Sequence, residues 1–175
     1  MVGFGSSANA STNTERIIVG VGQMEISKDP NVTLSAYALG SCIAVCAYDP
    51  IVKVGGILNV MLPDSKLSEE KSKLQPLIFA DTGVKEFVLQ LKSKGAHDES
   101  LKVGIAGGAN PITGSDAFKI GHRNSEAVEE LMASMGLSLK HKDTGGMSNR
   151  TVHLKMQNGL LDVCVLKEKK EVSLG

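Results

Sequence analysis

The sequence predicts an α/β (α+β) sandwich, with mixed, largely antiparallel β-sheets flanked by two main helices. Three observations carry this reading. Short apolar runs of strand length recur between residues 16 and 166, separated by turn residues. Only two segments show sustained helical periodicity. The strict strand–helix alternation of a doubly wound sheet is missing. The 175 residues fit one domain: residues 1–14 read as a disordered leader, residues 15–167 as the domain, and residues 168–175 as a charged tail.

The elements follow in chain order. Residues 16–21 (RIIVGV), 32–39 (VTLSAYAL), 41–48 (SCIAVCAY) and 54–62 (VGGILNVML) read as strands. Asp49-Pro50 and Pro63-Asp64 close the last two as turns. Residues 65–73 are polar and charged and read as an exposed loop. Leu77, Ala80, Val84, Phe87, Val88 and Leu91 recur at helical spacing, with Pro76 at a first-turn position and Gly95 placed to end the helix. Residues 101–106 read as a buried strand. A second helix starts near Asn124, carries the stripe Val128, Leu131, Met132 and Met135, and ends at Gly136; its glutamates lie toward the N-terminus, where the dipole favours anions. Residues 152–156 and 160–166 read as a hairpin, with Asn158-Gly159 as a type I′ turn.

Composition excludes several function classes. Nineteen basic and nineteen acidic residues leave no net charge, so no global field draws the chain to nucleic acid or an acidic membrane. Aromatics make up 3% and Trp is absent, which leaves base stacking poorly supplied. Three cysteines are too few, and odd in number, for a disulfide framework, and point to a reducing cytoplasm. No run approaches the roughly 18 apolar residues of a membrane span, and residues 1–14 lack the basic and apolar regions of a signal peptide. Neither a cofactor nor a metal is expected, because Cys42, Cys46 and the scattered histidines lack zinc-site spacing.

Three segments could carry chemistry. Gly40-Ser41-Cys42 lies between two apolar strands, where a sharp turn can present a thiol with N–H groups available to an oxyanion. A free Cys is equally at home as a small buried hydrophobe, and the local residues leave both readings open. For Cys46 and Cys164, inside apolar strands, the core reading is preferred. Residues 104–109 (GIAGGA) are similar to a phosphate-binding loop, but no helix opens directly after them. A glycine turn needed for close backbone packing is the better reading. Residues 143–146 (DTGG) contain the Asp-Thr-Gly of aspartic proteases, yet lack the second copy and apolar flank, so a Gly-Gly turn between strands is preferred.

Taken together, the motifs resemble the CheD family, the chemoreceptor glutamine deamidases of bacterial and archaeal chemotaxis. The resemblance rests on LGSC at 39–42, AVCAYDP at 44–50, KVGG at 53–56 and MLPDS at 61–65. It continues with FADTGV at 79–84, IAGGAN at 105–110, IGHRN at 120–124 and DTGG at 143–146. It spans about residues 17–166. It implies a fold related to the cytotoxic-necrotizing-factor deamidases and the hydrolysis of receptor glutamine amides to glutamate. It also implies two partners, the cytoplasmic helices of chemoreceptors and a CheC-type CheY-phosphate phosphatase.

The resemblance further implies a Cys nucleophile, a His about seventeen residues later and a Thr five or six residues upstream. Cys42 matches the nucleophile. The His position is Asn59, and the Thr position falls on Ala36 or Tyr37, with Thr33 out of register. A neighbouring imidazole lowers a thiol's pKa and carries its proton, which a carboxamide cannot do. An amidohydrolase with weakened or lost activity is therefore expected, with a CheD-like binding module as the alternative. His122 is the candidate substitute base, and Gly40 and Ser41 are the candidate oxyanion turn.

Overall fold

A computed structural model describes residues 14–110 and 119–175. The expected leader, apart from Thr14, and the polar loop from Pro111 lie outside the described residues. Ten strands form two five-stranded sheets. They are β1 (Glu15–Ile18), β2 (Met24–Ser27), β3 (Val32–Leu39), β4 (Ile43–Asp49), β5 (Val54–Val60), β6 (Lys102–Gly107), β7 (Ser138–Thr144), β8 (Arg150–Lys155), β9 (Leu160–Val165) and β10 (Glu168–Ser173). The first sheet runs β1-β3-β8-β9-β10 and the second β2-β5-β4-β6-β7. Pairings are antiparallel except β1 with β3 and β6 with β7. The expected sandwich of largely antiparallel sheets is therefore present.

Two cores hold it together. One lies between the sheets and includes Leu34, Ala36, Ala44, Cys46, Ile57, Val152, Leu154 and Leu161. The other lies between the second sheet and two helices, α2 (Ala80–Ser93) and α3 (Ile120–Ser134). Every residue of β4 and β5 is buried, because this part of the second sheet is covered on both faces. That two-sided burial is why their sequences are continuously apolar rather than alternating.

Four expectations need correction. The segment after Pro63 is not a plain loop: a 3-10 turn (Ser65–Leu67) precedes a short helix, α1 (Glu69–Leu74). Asp64 accepts from the Lys66 N–H and Ser68 from the Lys71 N–H, so two side-chain caps stabilise turns too polar to show periodicity. Helix α3 begins at Ile120, placing Asn124 inside the helix rather than at its start. The hairpin turn between β8 and β9 is longer than two residues. Lys155 pairs with Leu160, and of Asn158 and Gly159 only the glycine has positive φ, which rules out type I′. Finally, the charged tail is a strand. β10 pairs along its length with β9, and Val172 and the buried Leu174 pack into the inter-sheet core. Lys169 and Glu171 face outward in an ion-pair network with Asp162 and Lys155. Alternation on an edge strand, not hydropathy, defines this element.

Candidate active site

Cys42 sits on the turn that carries the chain from one sheet to the other, between β3 and β4. A bulge in β3 prepares this crossing. Ala36 pairs with Val152 and Leu39 with Arg150, so Tyr37 and Ala38 oppose Thr151 alone. Ala38 adopts a left-handed φ of 52°, and its N–H donates to Thr151 Oγ1 at 3.3 Å. The bulge separates the two positions that sequence left as alternatives. Ala36 faces the inter-sheet core, against which Cys42 also packs. Tyr37 turns outward, accepts from Arg16 Nη1 at 3.2 Å, and sets its ring edge against His153.

Residues 107–109 strap the turn down. The Ala109 N–H donates to Gly40 O and the Gly108 N–H to Cys42 O, both at 2.8 Å. Gly107 has φ of 122°, and a Cβ there would collide with the Cys42 carbonyl oxygen. The glycine-rich segment is therefore a close-packing turn, as its sequence suggested. Gly145 and Gly146 form the left-handed turn between β7 and β8, and the Gly145 N–H bonds back to Gly107 O.

The Cys42 thiol is half-buried. Burial pushes its pKa up, its own backbone N–H works against that, and no charged side chain among the described residues contributes. Cys46 is wholly buried, which raises its thiol much further and makes it inert. Cys164 is half-buried on β9.

Asn59 pairs across β5 and β4 with Ala44, which lies two residues along the chain from Cys42, and Ala44 and Cys42 both meet the inter-sheet core. The Asn59 side chain is 3% exposed. Its Nδ2 makes a long 3.5 Å bond to Val19 O, and its Oδ1 has no donor among the described residues. The position expected to hold an imidazole is thus filled by a poorly satisfied carboxamide.

His122 does not fill that role in this geometry. It is exposed and pairs with Glu126 at 3.2 Å. It lines a cavity of about 450 Å³ with Gly108, Asn110, Glu129, Lys142 and Thr144. Two residues along an α-helix rotate the side chain about 200°, so His122 leaves the side of α3 from which Asn124 reaches the Cys42 turn. The other histidines lie elsewhere: His153 Nδ1 shares a 2.8 Å hydrogen bond with Ser35 Oγ, His97 follows α2 with its backbone N–H donating to Asp49, and His141 is buried on β7. No titratable partner contacts Cys42 among the described residues.

Sequence reading missed Asn124 as a member of the site. Asn124 Nδ2 donates to Ser41 O and Met61 O, each at 2.8 Å. The available signal was its place on the buried stripe of α3, with Gly121, Ser125, Val128 and Met132. A polar residue on such a stripe needs an internal partner.

The fold and the turn define a class: an α+β sandwich that presents one cysteine on a backbone-strapped crossing between its sheets. Comparison with known proteins gives the family. The family described as CheD chemotactic sensory transduction matches residues 61–164. A chemoreceptor glutamine deamidase CheD of Thermotoga maritima is 42% identical over 144 residues, covering 82% of this chain and 88% of that one. A probable chemoreceptor glutamine deamidase CheD 1 of Syntrophus aciditrophicus is 41% identical over 143 residues, covering 82% and 89%. A similarly described protein of Solibacter usitatus is 39% identical over 147 residues, covering 84% and 87%. This chain belongs to the CheD family. The solved structure of the Bacillus licheniformis hypothetical protein YfiH overlaps at a TM-score of 0.41 with 13% identity, covering 78% of this chain and 61% of that one. That likeness is too slight to argue from. No helix among the described residues is long and apolar enough to cross a membrane.

Proposed function

We propose that this chain is a slow chemoreceptor glutamine deamidase, with Cys42 as nucleophile and no general base beside it. The thiolate would attack the glutamine Cδ. The C–N bond then breaks, ammonia leaves with a proton, and a thioester remains. Water hydrolyses the thioester to glutamate and restores the thiol. Both stages need proton transfer, for which an imidazole is suited and Asn59 is not. The carrying observation is the half-buried thiol, without a titratable partner among the described residues, on a turn whose backbone is tied down. The family and the names of its relatives support the substrate class.

The test is prolonged incubation of purified protein at high concentration with a chemoreceptor from the same organism, followed by mass spectrometry. Slow Gln-to-Glu conversion that Cys42→Ala abolishes is expected. No conversion defeats the deamidase reading.

One observation favours a second reading. Asn59 is buried, and its carboxamide cannot take up a proton in place of a base. On that reading the chain is a cytoplasmic binding module for a chemoreceptor or a CheC-type phosphatase. Pull-down with each purified partner tests it, and failure of both to bind refutes it.

A further inference from the structure

The turn at 40–42 has an unusual feature: each of its three carbonyls accepts a hydrogen bond from a different place in the chain. Gly40 O takes the Ala109 N–H, Cys42 O takes the Gly108 N–H, and Ser41 O takes Asn124 Nδ2, all at 2.8 Å. Two of these donors are backbone. Only Asn124 contributes a side chain, across 83 positions of sequence. It is fully buried, and its second N–H bond, to Met61 O, anchors it to the chain just beyond β5. The Asn124 carboxamide therefore spans the crossing turn and the strand end that carries Asn59.

The peptide unit explains what this bond fixes. In a planar trans peptide the C=O of one residue and the N–H of the next point in opposite directions. Holding the Ser41 carbonyl toward α3 aims the Cys42 N–H away from α3. That N–H lies on the same residue as the sulfur and favours its thiolate. The orientation of Asn124 is itself determined: a flipped carboxamide would set Oδ1 against two carbonyl oxygens. Its Oδ1 is left buried without a donor among the described residues. An acceptor in that state costs about 1–3 kcal/mol, a cost set against the two carbonyls that Nδ2 satisfies.

We propose that Asn124 is a positioning residue for the Cys42 thiol: by holding the Ser41 carbonyl it fixes the orientation of the Ser41–Cys42 peptide from which the thiol is presented. The role deepens the deamidase reading and rests on it for its catalytic consequence, but the geometry of the thiol can be tested without substrate. Asn124 touches neither the sulfur nor substrate and acts only through the peptide.

The test is peptide-resolved alkylation of the full chain by iodoacetamide across pH 6.5–10.5. Asn124→Ala removes the clamp; Asn124→Leu keeps most of its volume but has no proton to donate to either carbonyl. Loss of one N–H to a thiolate corresponds to about a tenfold fall in thiolate population, since one pH unit is a tenfold change. We therefore expect the Cys42 midpoint to rise by about one unit in both variants, with Cys164 unchanged as the internal reference. A Cys42 midpoint that stays in place in either folded variant overturns the proposal. Variants that lose their circular dichroism spectrum overturn it too, since Asn124 would then serve the fold rather than the thiol. A second arm uses Ala36→Thr/Asn59→His protein, in which Asn124→Ala is expected to lower kcat with KM held. If that background never deamidates receptor, the functional reading fails while the alkylation result stands.

Discussion

Replacing Asn59 by His is the most informative single change at this site. The wild-type carboxamide contributes little, because its one hydrogen bond is 3.5 Å long and its Oδ1 is unpartnered. An imidazole enters a position that is 3% exposed, so it must displace neighbours, at about 1–3 kcal/mol of overpacking. The gain in rate has two parts. A thiol held above the usual value of about 8.5 is less than about one-tenth thiolate at pH 7.5. An adjacent imidazole that makes the thiolate predominant gives about tenfold. Returning a proton to departing ammonia adds general acid catalysis, typically about 10²–10⁴-fold. Taking the lower figure, kcat/KM should rise on the order of 10³, equivalent to roughly 4 kcal/mol. Deamidation of receptor followed by mass spectrometry measures the rate, with Cys42→Ala in the same background as the blank. Alkylation of Cys42 against pH measures the thiol directly and should shift to lower pH. A folded Asn59→His protein in which neither the Cys42 midpoint nor the conversion rate moves would refute the reasoning.

Three further outcomes follow from the same coordinates. Asn59→Leu removes a buried unpaired acceptor in exchange for a weak bond, and should stabilise the fold by about 1 kcal/mol; a lower denaturation midpoint in urea counts against it. Asp49 is buried and accepts from the Ile51, Val52 and His97 N–H groups and from Ser100 Oγ. Burial works against the charge, yet these bonds hold its carboxyl below the ordinary value. Asp49→Ala strands all four donors and should cost about 3 kcal/mol or more, so a urea midpoint near wild type contradicts the account. Burial also holds the His141 and His153 pKa values below 6.5. The unfolded chain then binds protons that the folded chain does not, so this stability is present above about pH 6.5 and is lost as pH falls below it. Melting temperatures at pH 7.5 and 5.5 should differ, and less so in His141→Gln; an undiminished difference in that variant removes His141 from the explanation. Asp49 and Glu129 act in a separate window, below about pH 4.5.

How far the fold was legible depends on what each element faces. β4 and β5 were readable as continuous apolar runs because both faces are covered. α2 was readable from a stripe that meets the second sheet. β7 (SLKHKDT) and β10 (EKKEVS) were not, because edge strands carry charge on their open side and expose little apolar pattern to a reader. At the site, motif order pointed to Cys42 and Asn59, and the structure places Cys42 on the crossing turn and Asn59 in β5. The role of Asn124 was not legible, because nothing local says that a carboxamide on a helix meets a carbonyl 83 residues earlier. For His122 the same limit holds in reverse: its residue type named it, but only the phase of α3 shows which way it faces.

The structure also separates two things that motif resemblance joins, the presentation of the thiol and the transfer of its proton. Presentation depends on backbone and amide groups: the strap at 107–109, the crossing turn, and Asn124. None of these titrates in the range where the protein works. On the mechanism proposed here, proton transfer would fall to the side chain at position 59, and a carboxamide cannot perform it. A change at 59 therefore removes acid–base catalysis without disturbing the turn, since Asn59 contacts Val19 rather than the strap. The surface that meets a partner and the rate of the reaction can then diverge independently. In such a site, affinity for a glutamine-bearing helix reports on the turn, and only the rate reports on residue 59.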